Sequence, residues 1–386
     1  MAVAEPLSLD GPARDERPDL RSLAFEHVAN LVAALGEKPF RARQLFRWLH
    51  QKGAASLEEM TDLPKPFRAA LAEQTTLTTL AAATEQRSVD GTIKWTWRTH
   101  DGKLVESVYM PEEDRKTLCV SSQVGCAVGC TFCMTGTMGL ARNLTAGEIV
   151  DQIHRANRRI LELGLAPALA GTRPLTNLVF MGMGEPLANY KNLKLALDLL
   201  LHEDGPNFSH RHVTVSTSGL VPMIAKLGLE TPVKLAISLN ATTDRVRDEI
   251  MPINKRFPLE QLLAACRAFP VKQGRRITFE YVLLAGVNDS TEDAERLWRL
   301  LKGIPAKVNL IPYNENPGLP FQAPSPERVA AFQELLAARN VTAVVRKNRG
   351  RDIAAACGQL AAEGGPGDPR RQGKTAASLT PPGTAG

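Results

Sequence analysis

A chain of 386 residues with 44% apolar and 5% aromatic side chains can bury a substantial core, as one large domain with an appendage or as two modest domains. No apolar run reaches membrane-spanning length, and MAVAEPLSLDGPARDERPDL carries Asp and Glu where an export signal needs an unbroken apolar core. A cytoplasmic protein is expected, in which six cysteines point to metal or thiol chemistry before disulfides, while a net charge of +6 is too small to identify a polyanionic partner by itself.

Residues 1–23 are polar and punctuated by proline, and read as a disordered tail. Residues 24–82 predict a small helical domain. AFEHVANLVAAL and PFRARQLFRWLHQKG place apolar residues at helical spacing, with Pro39 at a first turn. Residues 83–112 change rhythm: SVDGTIKWTW and RTHDGKLVESVYM alternate apolar and polar positions about Asp90-Gly91 and Asp101-Gly102, a β-hairpin linker.

From residue 113 to about 352, strand and helix patterns alternate. The candidate strands are KTLCVSSQ, TNLVFMG, HVTVSTS, VKLAISLN, RITFEYVLL, AKVNLIPY and VTAVVRK; between them lie helices such as TAGEIVDQIHRANRRILEL, with a Thr145/Glu148 capping-box pattern. This rhythm predicts an α/β fold, a full or partial (β/α) barrel whose chemistry sits at the C-terminal strand ends. Cys126, Glu185, Ser216, Ser238 and Asn314 fall at those ends. A segment at 353–363 carries Cys357, and 364–386, with six Gly and four Pro, reads as a second disordered tail.

Cys126, Cys130 and Cys133 form C-x3-C-x2-C in the glycine-rich loop GCAVGCTFCMTGTMG. The spacers leave no room for a helix or strand between ligands. Structural zinc wants a fourth Cys or His at matched spacing, and none is evident nearby; three cysteines on a four-iron cluster leave one iron open for another ligand. An iron–sulfur cluster is the leading reading, zinc the second, and neighbouring inert thiols the third.

The loop resembles the signature of the radical S-adenosylmethionine (SAM) superfamily, including Phe132 just before the last cysteine; MGMGEPLAN then supplies a superfamily-style Gly184-Glu185 after the next strand. SSQVGCAVGCTFCMTG, LVFMGMGEPLANY, VTVSTSGLVP, AISLNATTD, FEYVLLAGVNDS, VNLIPYNENPG and RKNRGRDIAAACGQLA together are similar to the RlmN family of bacterial RNA methyltransferases, over roughly residues 25–362. That resemblance implies a partial barrel of radical SAM type behind a helical domain. It also implies a 4Fe-4S cluster on Cys126, Cys130 and Cys133, and two SAM molecules per turnover. The activity implied is methylation at C2 of an adenine in 23S rRNA and of the adenine 3′ of the anticodon in tRNA.

By the same resemblance, Cys357 carries the methyl group, Cys119 resolves a protein–RNA crosslink through a disulfide, and Glu106 accepts a proton. The alternative for Glu106 is an exposed strand residue opposite a lysine. SAM contacts are implied for Gly184, Glu185, Ser216, Ser238, Leu239, Asn240 and Asn314; Asn240 stands where many relatives carry histidine, a change that leaves a backbone contact intact and alters a side-chain one. A flavodoxin-like or other low-potential electron donor and a monomeric state are implied too. Cys266 matches no motif and reads as a core thiol.

Two basic stretches offer grips for RNA phosphate. Arg346, Lys347, Arg349 and Arg351 precede Cys357, and Arg41, Arg43, Arg47 and Lys52 accompany Phe46 and Trp48 in the helical domain, where a solvated helix face is the plain alternative. Three other activities share parts of the pattern. A C8-adenine methyltransferase would differ in the nucleoside it makes, and a non-enzymatic iron–sulfur RNA-binding protein would need neither Cys119 nor Cys357. A radical SAM enzyme for a small molecule would have no use for the basic stretch at 346–351.

Overall fold

Three short helices open the computed structural model, which describes residues 17–166, 174–272, 274–316 and 318–361. They are α1 (Phe25–Ala34), α2 (Phe40–Phe46) and α3 (Lys65–Gln74). Val28, Val32, Leu45, Phe46, Phe67 and Leu71 meet in their core. Pro39 already has helical torsions before α2, where its missing N–H goes unused.

The expected tail at 1–23 needs correcting. Residues 17–23 belong to the helical domain, and Leu20 and Arg21 are fully buried. The Arg21 guanidinium donates to the carbonyls of Leu49 (2.7 Å), Thr78 (2.9 Å) and Ala54, and lies 3.3 Å from Asp151. A polar composition misled here because its partners come from distant residues. The expected tail at 364–386 lies outside the described residues.

Next come β1 (Ala81–Arg87), β2 (Ile93–Arg98) and β3 (Leu104–Pro111), antiparallel about the two Asp-Gly turns. They are not a linker, as the sequence pattern suggested. β3 pairs antiparallel with β4 (Lys116–Cys119), so the hairpins extend the main sheet. β5 (Gln123–Gly125) and β6 (Leu140–Asn143) form a separate ribbon; the cysteine loop and the one-turn α4 (Met134–Thr137) lie between them. KTLCVSSQ is therefore two strands rather than one.

The remainder alternates: α5 (Ala146–Glu162), β7 (Asn177–Phe180), α6 (Tyr190–Leu201), β8 (Val213–Thr217), α7 (Val221–Glu230) and β9 (Lys234–Ser238). Then follow α8 (Asp244–Ile250), α9 (Leu259–Ala268), β10 (Ile277–Leu283), α10 (Thr291–Leu301), β11 (Ala306–Pro312), α11 (Pro326–Ala338) and β12 (Ala343–Val345). The Thr145/Glu148 capping box is present, and α5 lays Ile149, Ile153, Ala156 and Ile160 along one buried face.

The main sheet runs β1-β2-β3-β4-β7-β8-β9-β10-β11-β12, parallel from β4 onward. Thr117, Val179, Thr214, Leu235, Glu280 and Asn309, one from each of six adjacent strands, line a single cavity. A sheet achieves that only by curving around the space. No pairing joins β4 to β12 among the described residues, so the barrel is partial. Along β10, Phe279, Tyr281 and Leu283 are fully buried in the main core, while Thr278, Glu280 and Val282 reach the barrel interior.

Candidate functional site

The cysteine loop is closed at its base by the β5–β6 ribbon. Cys126 N–H donates to the carbonyl of Gly139 at 2.8 Å, and Gly125 has φ 78°, where any side chain would collide with that same carbonyl. Cys126, Cys130 and Cys133 line one cavity of about 160 Å³ together with Phe132. Among the described residues no trio of His, Cys, Asp and Glu converges on a single-ion site. Zinc would need its donors gathered about one point, whereas a cluster seats each thiolate on its own iron.

Burial, then the charges of Glu185 and Cys133, push the Cys126 thiol up to about 12; burial followed by Cys133 and Cys126 raises Cys130 well above the ordinary thiol range. Three such thiols ionise together only against a positively charged core, so the donor set fits a cluster. Arg247, fully buried, faces Cys130 and donates to the carbonyls of Ser218 (2.6 Å), Leu239 (3.0 Å) and Ser238 (3.2 Å). It was not foreseen; one of two arginines in a short charged helix, DRVRDEI, carries no local signal of burial.

Gly184, Glu185, Ser216, Ser238 and Asn240 share the cavity with the three cysteines. Gly184 has φ 98° and passes so close to Gln123 that a Cβ would strike it. The Glu185 carboxyl is buried and accepts from Leu187 N–H (3.0 Å), Ser218 N–H (2.7 Å) and the Ser218 hydroxyl (2.7 Å). Burial raises its pKa against those bonds. Ser218 and Gln123, whose side chain accepts from Glu185 N–H at 2.8 Å, orient this carboxyl without having been singled out from the sequence.

Of the other expected SAM residues, Leu239 and Asn314 lie off this cavity, and Asn240 lines it with its side chain already engaged. Leu239 is fully buried off the cavity wall, donating its N–H to the Glu280 carbonyl. Asn240 sits at φ 55°; its Oδ1 accepts from Val282 N–H (2.9 Å), and the Asn288 side chain donates to its carbonyl (2.6 Å). Its side chain therefore shapes the loop, which explains why a residue tolerant of left-handed torsions stands there. Asn314 faces the neighbouring cavity, and its Oδ1 is buried with no hydrogen-bond partner among the described residues, an acceptor suited to a ligand donor.

Cys119, buried at the end of β4, and Cys357 line that second cavity of about 110 Å³. It adjoins the first through Cys133, Met181, Gly182, Glu280 and Cys357. Cys357 opens on the cavity while enclosed enough for burial to raise its pKa; burial and then Cys357 raise that of Cys119 further. The Cys357 segment is tied down on both sides. Met134 N–H donates to the Gly358 carbonyl (2.8 Å), and the Thr135 hydroxyl to that of Leu360 (2.6 Å). From the hairpins, Asp90 accepts from Gly350 N–H (3.0 Å), Ser88 donates to Asp352 (2.6 Å) and Lys94 to the Ala354 carbonyl (3.2 Å).

Glu106 belongs to this clamp. It is buried rather than exposed, accepts from Ala361 N–H at 3.0 Å and lies 3.4 Å from Lys94. It is not among the residues lining either cavity. Cys266 is buried in α9, within the main core.

Of the basic residues, Arg346, Lys347 and Arg349 line the second cavity with Cys357, and Arg351 is exposed beyond it. The helical-domain patch is largely spoken for. Arg43 and Arg47 pair with Asp204 (2.8 and 2.7 Å), Lys52 lies over the Trp48 ring (3.4 Å), and Phe46 is core. A stronger basic feature was missed. Arg115, Lys234, Arg276 and Lys307 ring a cavity of about 520 Å³ at the N-terminal ends of the strands. Burial, then repulsion from neighbouring cations, lowers the pKa of Lys234; Lys307 is lowered too, against the pull of Glu280. The signal was legible as a cation within one residue of the first position of four strands.

The radical SAM superfamily model matches residues 120–297, and the model for the ribosomal RNA large subunit methyltransferase N-terminal domain matches residues 18–77. A dual-specificity RNA methyltransferase RlmN from Anaeromyxobacter sp. (strain Fw109-5) is 80% identical over 94% of this chain and 95% of its own. RlmN 2 of Myxococcus xanthus (strain DK1622) is 59% identical over 94% and 95%. A solved radical SAM methyltransferase from Sphaerobacter thermophilus has a TM-score of 0.84 and 50% identity, covering 90% of this chain and 100% of that one.

Proposed function

This chain belongs to the RlmN family of radical SAM RNA methyltransferases, and from that premise we propose how its own residues methylate C2 of adenine in 23S rRNA and in tRNA 3′ of the anticodon. It is a dual-specificity RNA methyltransferase that uses a 4Fe-4S cluster and SAM. Cys126, Cys130 and Cys133 would hold the cluster; Gly184, Glu185, Ser216, Ser238, Asn314 and the backbone at 239–240 would hold SAM. Bound there, these groups supply the methyl group and the deoxyadenosyl radical.

The observation that carries the reading is the cavity shared by Cys119 and Cys357, opening beside the three-cysteine loop. Adenine C2 is electron-poor and its hydrogen is not acidic, so attack on an electrophilic methyl is unpromising while radical addition is open. Cys357 takes the methyl on sulfur and presents its carbon to C2. The Cys119 thiolate then attacks the Cys357 sulfur of the crosslink: the S–S bond forms as the S–C bond breaks, and the departing methylene carbon keeps the electron pair and takes up a proton to become the methyl group. Glu106 holds the Cys357 segment in place through Ala361 and, by the family resemblance, accepts the C2 proton. The cations at the strand N-termini and Arg346 form a path for RNA phosphates into the barrel. The target adenine must leave its stack to reach Cys357.

A low-potential, flavodoxin-like electron donor, a monomeric enzyme and a cytoplasmic location complete the proposal; among the described residues no helix is long and apolar enough to cross a membrane. Under anaerobic, reducing conditions, Cys357→Ala abolishes methylation and Cys119→Ala accumulates a covalent protein–RNA adduct, read by gel shift and nucleoside mass spectrometry. Turnover by either variant, or 8-methyladenosine as the product, would sink the reading.

A further inference from the structure

Glu280 is a buried carboxyl that none of these roles uses, and it lines all three cavities: the basic mouth, the Cys119–Cys357 cavity and the three-cysteine cavity. In register it lies between Ser238 on β9 and Asn309 on β11, and Asn309 Nδ2 donates to its Oε1 at 2.8 Å. The charged or titratable groups that act on it are Arg346 after β12 and Lys307 on β11, and it acts in turn on the Cys357 thiol. An acid in a barrel interior is costly, and an apolar residue of like size fills the same space without that cost. Burial raises its pKa more than Arg346, Asn309 and Lys307 lower it, which favours the acid form.

We propose that Glu280 reads the Watson–Crick edge of the target adenine, with Oε2–H donating to N1 and Oε1 accepting from the N6 amino group. The Asn309 bond keeps Oε1 an acceptor and so leaves the hydrogen on Oε2. Adenine offers that acceptor and donor side by side. C2 is the ring carbon next to N1, so this grip brings C2 toward Cys357, whereas C8 lies on the other ring. The assignment rests on the C2-methylation reading above.

The test compares the parent holoenzyme with Glu280→Leu and Glu280→Gln on RNA bearing either adenine or purine, which lacks the N6 amino group, at the target position. Cys357 S-methylation is read by peptide mass and RNA methylation by nucleoside mass spectrometry. Glu280→Leu is expected to keep S-methylation of Cys357 yet lose RNA methylation by roughly a hundredfold. Glu280→Gln, which still donates and accepts, restores turnover to within about tenfold of the parent. The parent prefers adenine to purine by about tenfold or more, and Glu280→Leu loses that preference. The assignment is overturned if Glu280→Leu methylates RNA like the parent, if Glu280→Gln is no better than Glu280→Leu, or if the adenine preference survives in Glu280→Leu. Loss of Cys357 S-methylation in Glu280→Leu also overturns it, since the role would then lie with SAM or the fold. Absence of 2-methyladenosine with the parent enzyme overturns the C2 reading and the assignment with it, a failure distinguished by preceding any substitution.

Discussion

At the scale of single residues, the two cysteines proposed to do the chemistry are set by their surroundings. Cys119 is buried at a strand end, and desolvation followed by the Cys357 sulfur raises its pKa above the usual thiol range. A raised thiol pKa means a small thiolate fraction at neutral pH, and the attacking species grows as pH rises toward that pKa. Resolution of the crosslink is therefore expected to accelerate by about tenfold per pH unit between roughly 7 and 9. Single-turnover decay of the protein–RNA adduct checks this, and a flat profile would remove Cys119 as the attacking group. Burial also pushes the Cys266 thiol up to about 12, but Cys266 shares neither cavity with a partner thiol. Asn240 shows the same dependence on context. The motif marks the position, but the torsion of φ 55° and the bond to Val282 explain the residue type.

At the scale of elements, the hairpins β1–β3 act as a bracket for the loop that carries Cys357. Asp90 is its clearest member, accepting from Thr92 N–H (2.9 Å) within its own turn and from Gly350 N–H (3.0 Å) across to the loop. Burial pulls its pKa up, but the bonds from Thr92, Gly350 and Ser88 prevail and hold it at about 2. A carboxyl depressed on folding adds stability above its unfolded value of 3.8, and that contribution fades as pH falls from there to about 2. Asp90→Asn is expected to cost roughly 1–2 kcal/mol at neutral pH, discounted for partial exposure, with the gap closing below pH 4. Thermal unfolding at a series of pH values reads the gap. A gap that persists undiminished at pH 2 would show that the charge is irrelevant. The Asp-Gly turns were plain in the sequence; their service to residues 350–354 was not, because the contact joins opposite ends of the chain.

At the scale of the whole molecule, charge is arranged rather than abundant. The net charge of +6 says little, but Arg115, Lys234, Arg276 and Lys307 gather at one mouth of the barrel while the cysteines gather toward the other strand ends. Mutual repulsion among these cations would be relieved by RNA phosphate on the proposed path. Lys307→Ala and Lys234→Ala are each expected to weaken RNA binding evenly across sequences and to lower the slope of log affinity against log salt by roughly 1. Filter binding over a salt series measures that slope. An unchanged slope in both variants would move the RNA path elsewhere. The helical domain is held to the barrel by the buried Arg21–Asp151 pair, which explains why residues 17–23 look like tail in sequence yet pack like core.

By itself the sequence determined whatever is encoded at short range. Strand–helix alternation specified the parallel sheet, Thr145 and Glu148 its helix cap, the two Asp-Gly pairs their turns, and C-x3-C-x2-C a three-thiol loop that needs no distant partner. Tertiary structure alone decided which distant residues meet. Curvature of the sheet brings Cys119 to Cys357, turns Glu280 inward to three cavities, places Arg247 behind the cluster loop and puts Glu106 under the Cys357 segment. The physical reason is that local spacing governs the torsions of a loop, whereas burial, and with it the pKa of an acid or a thiol, depends on neighbours supplied by other strands.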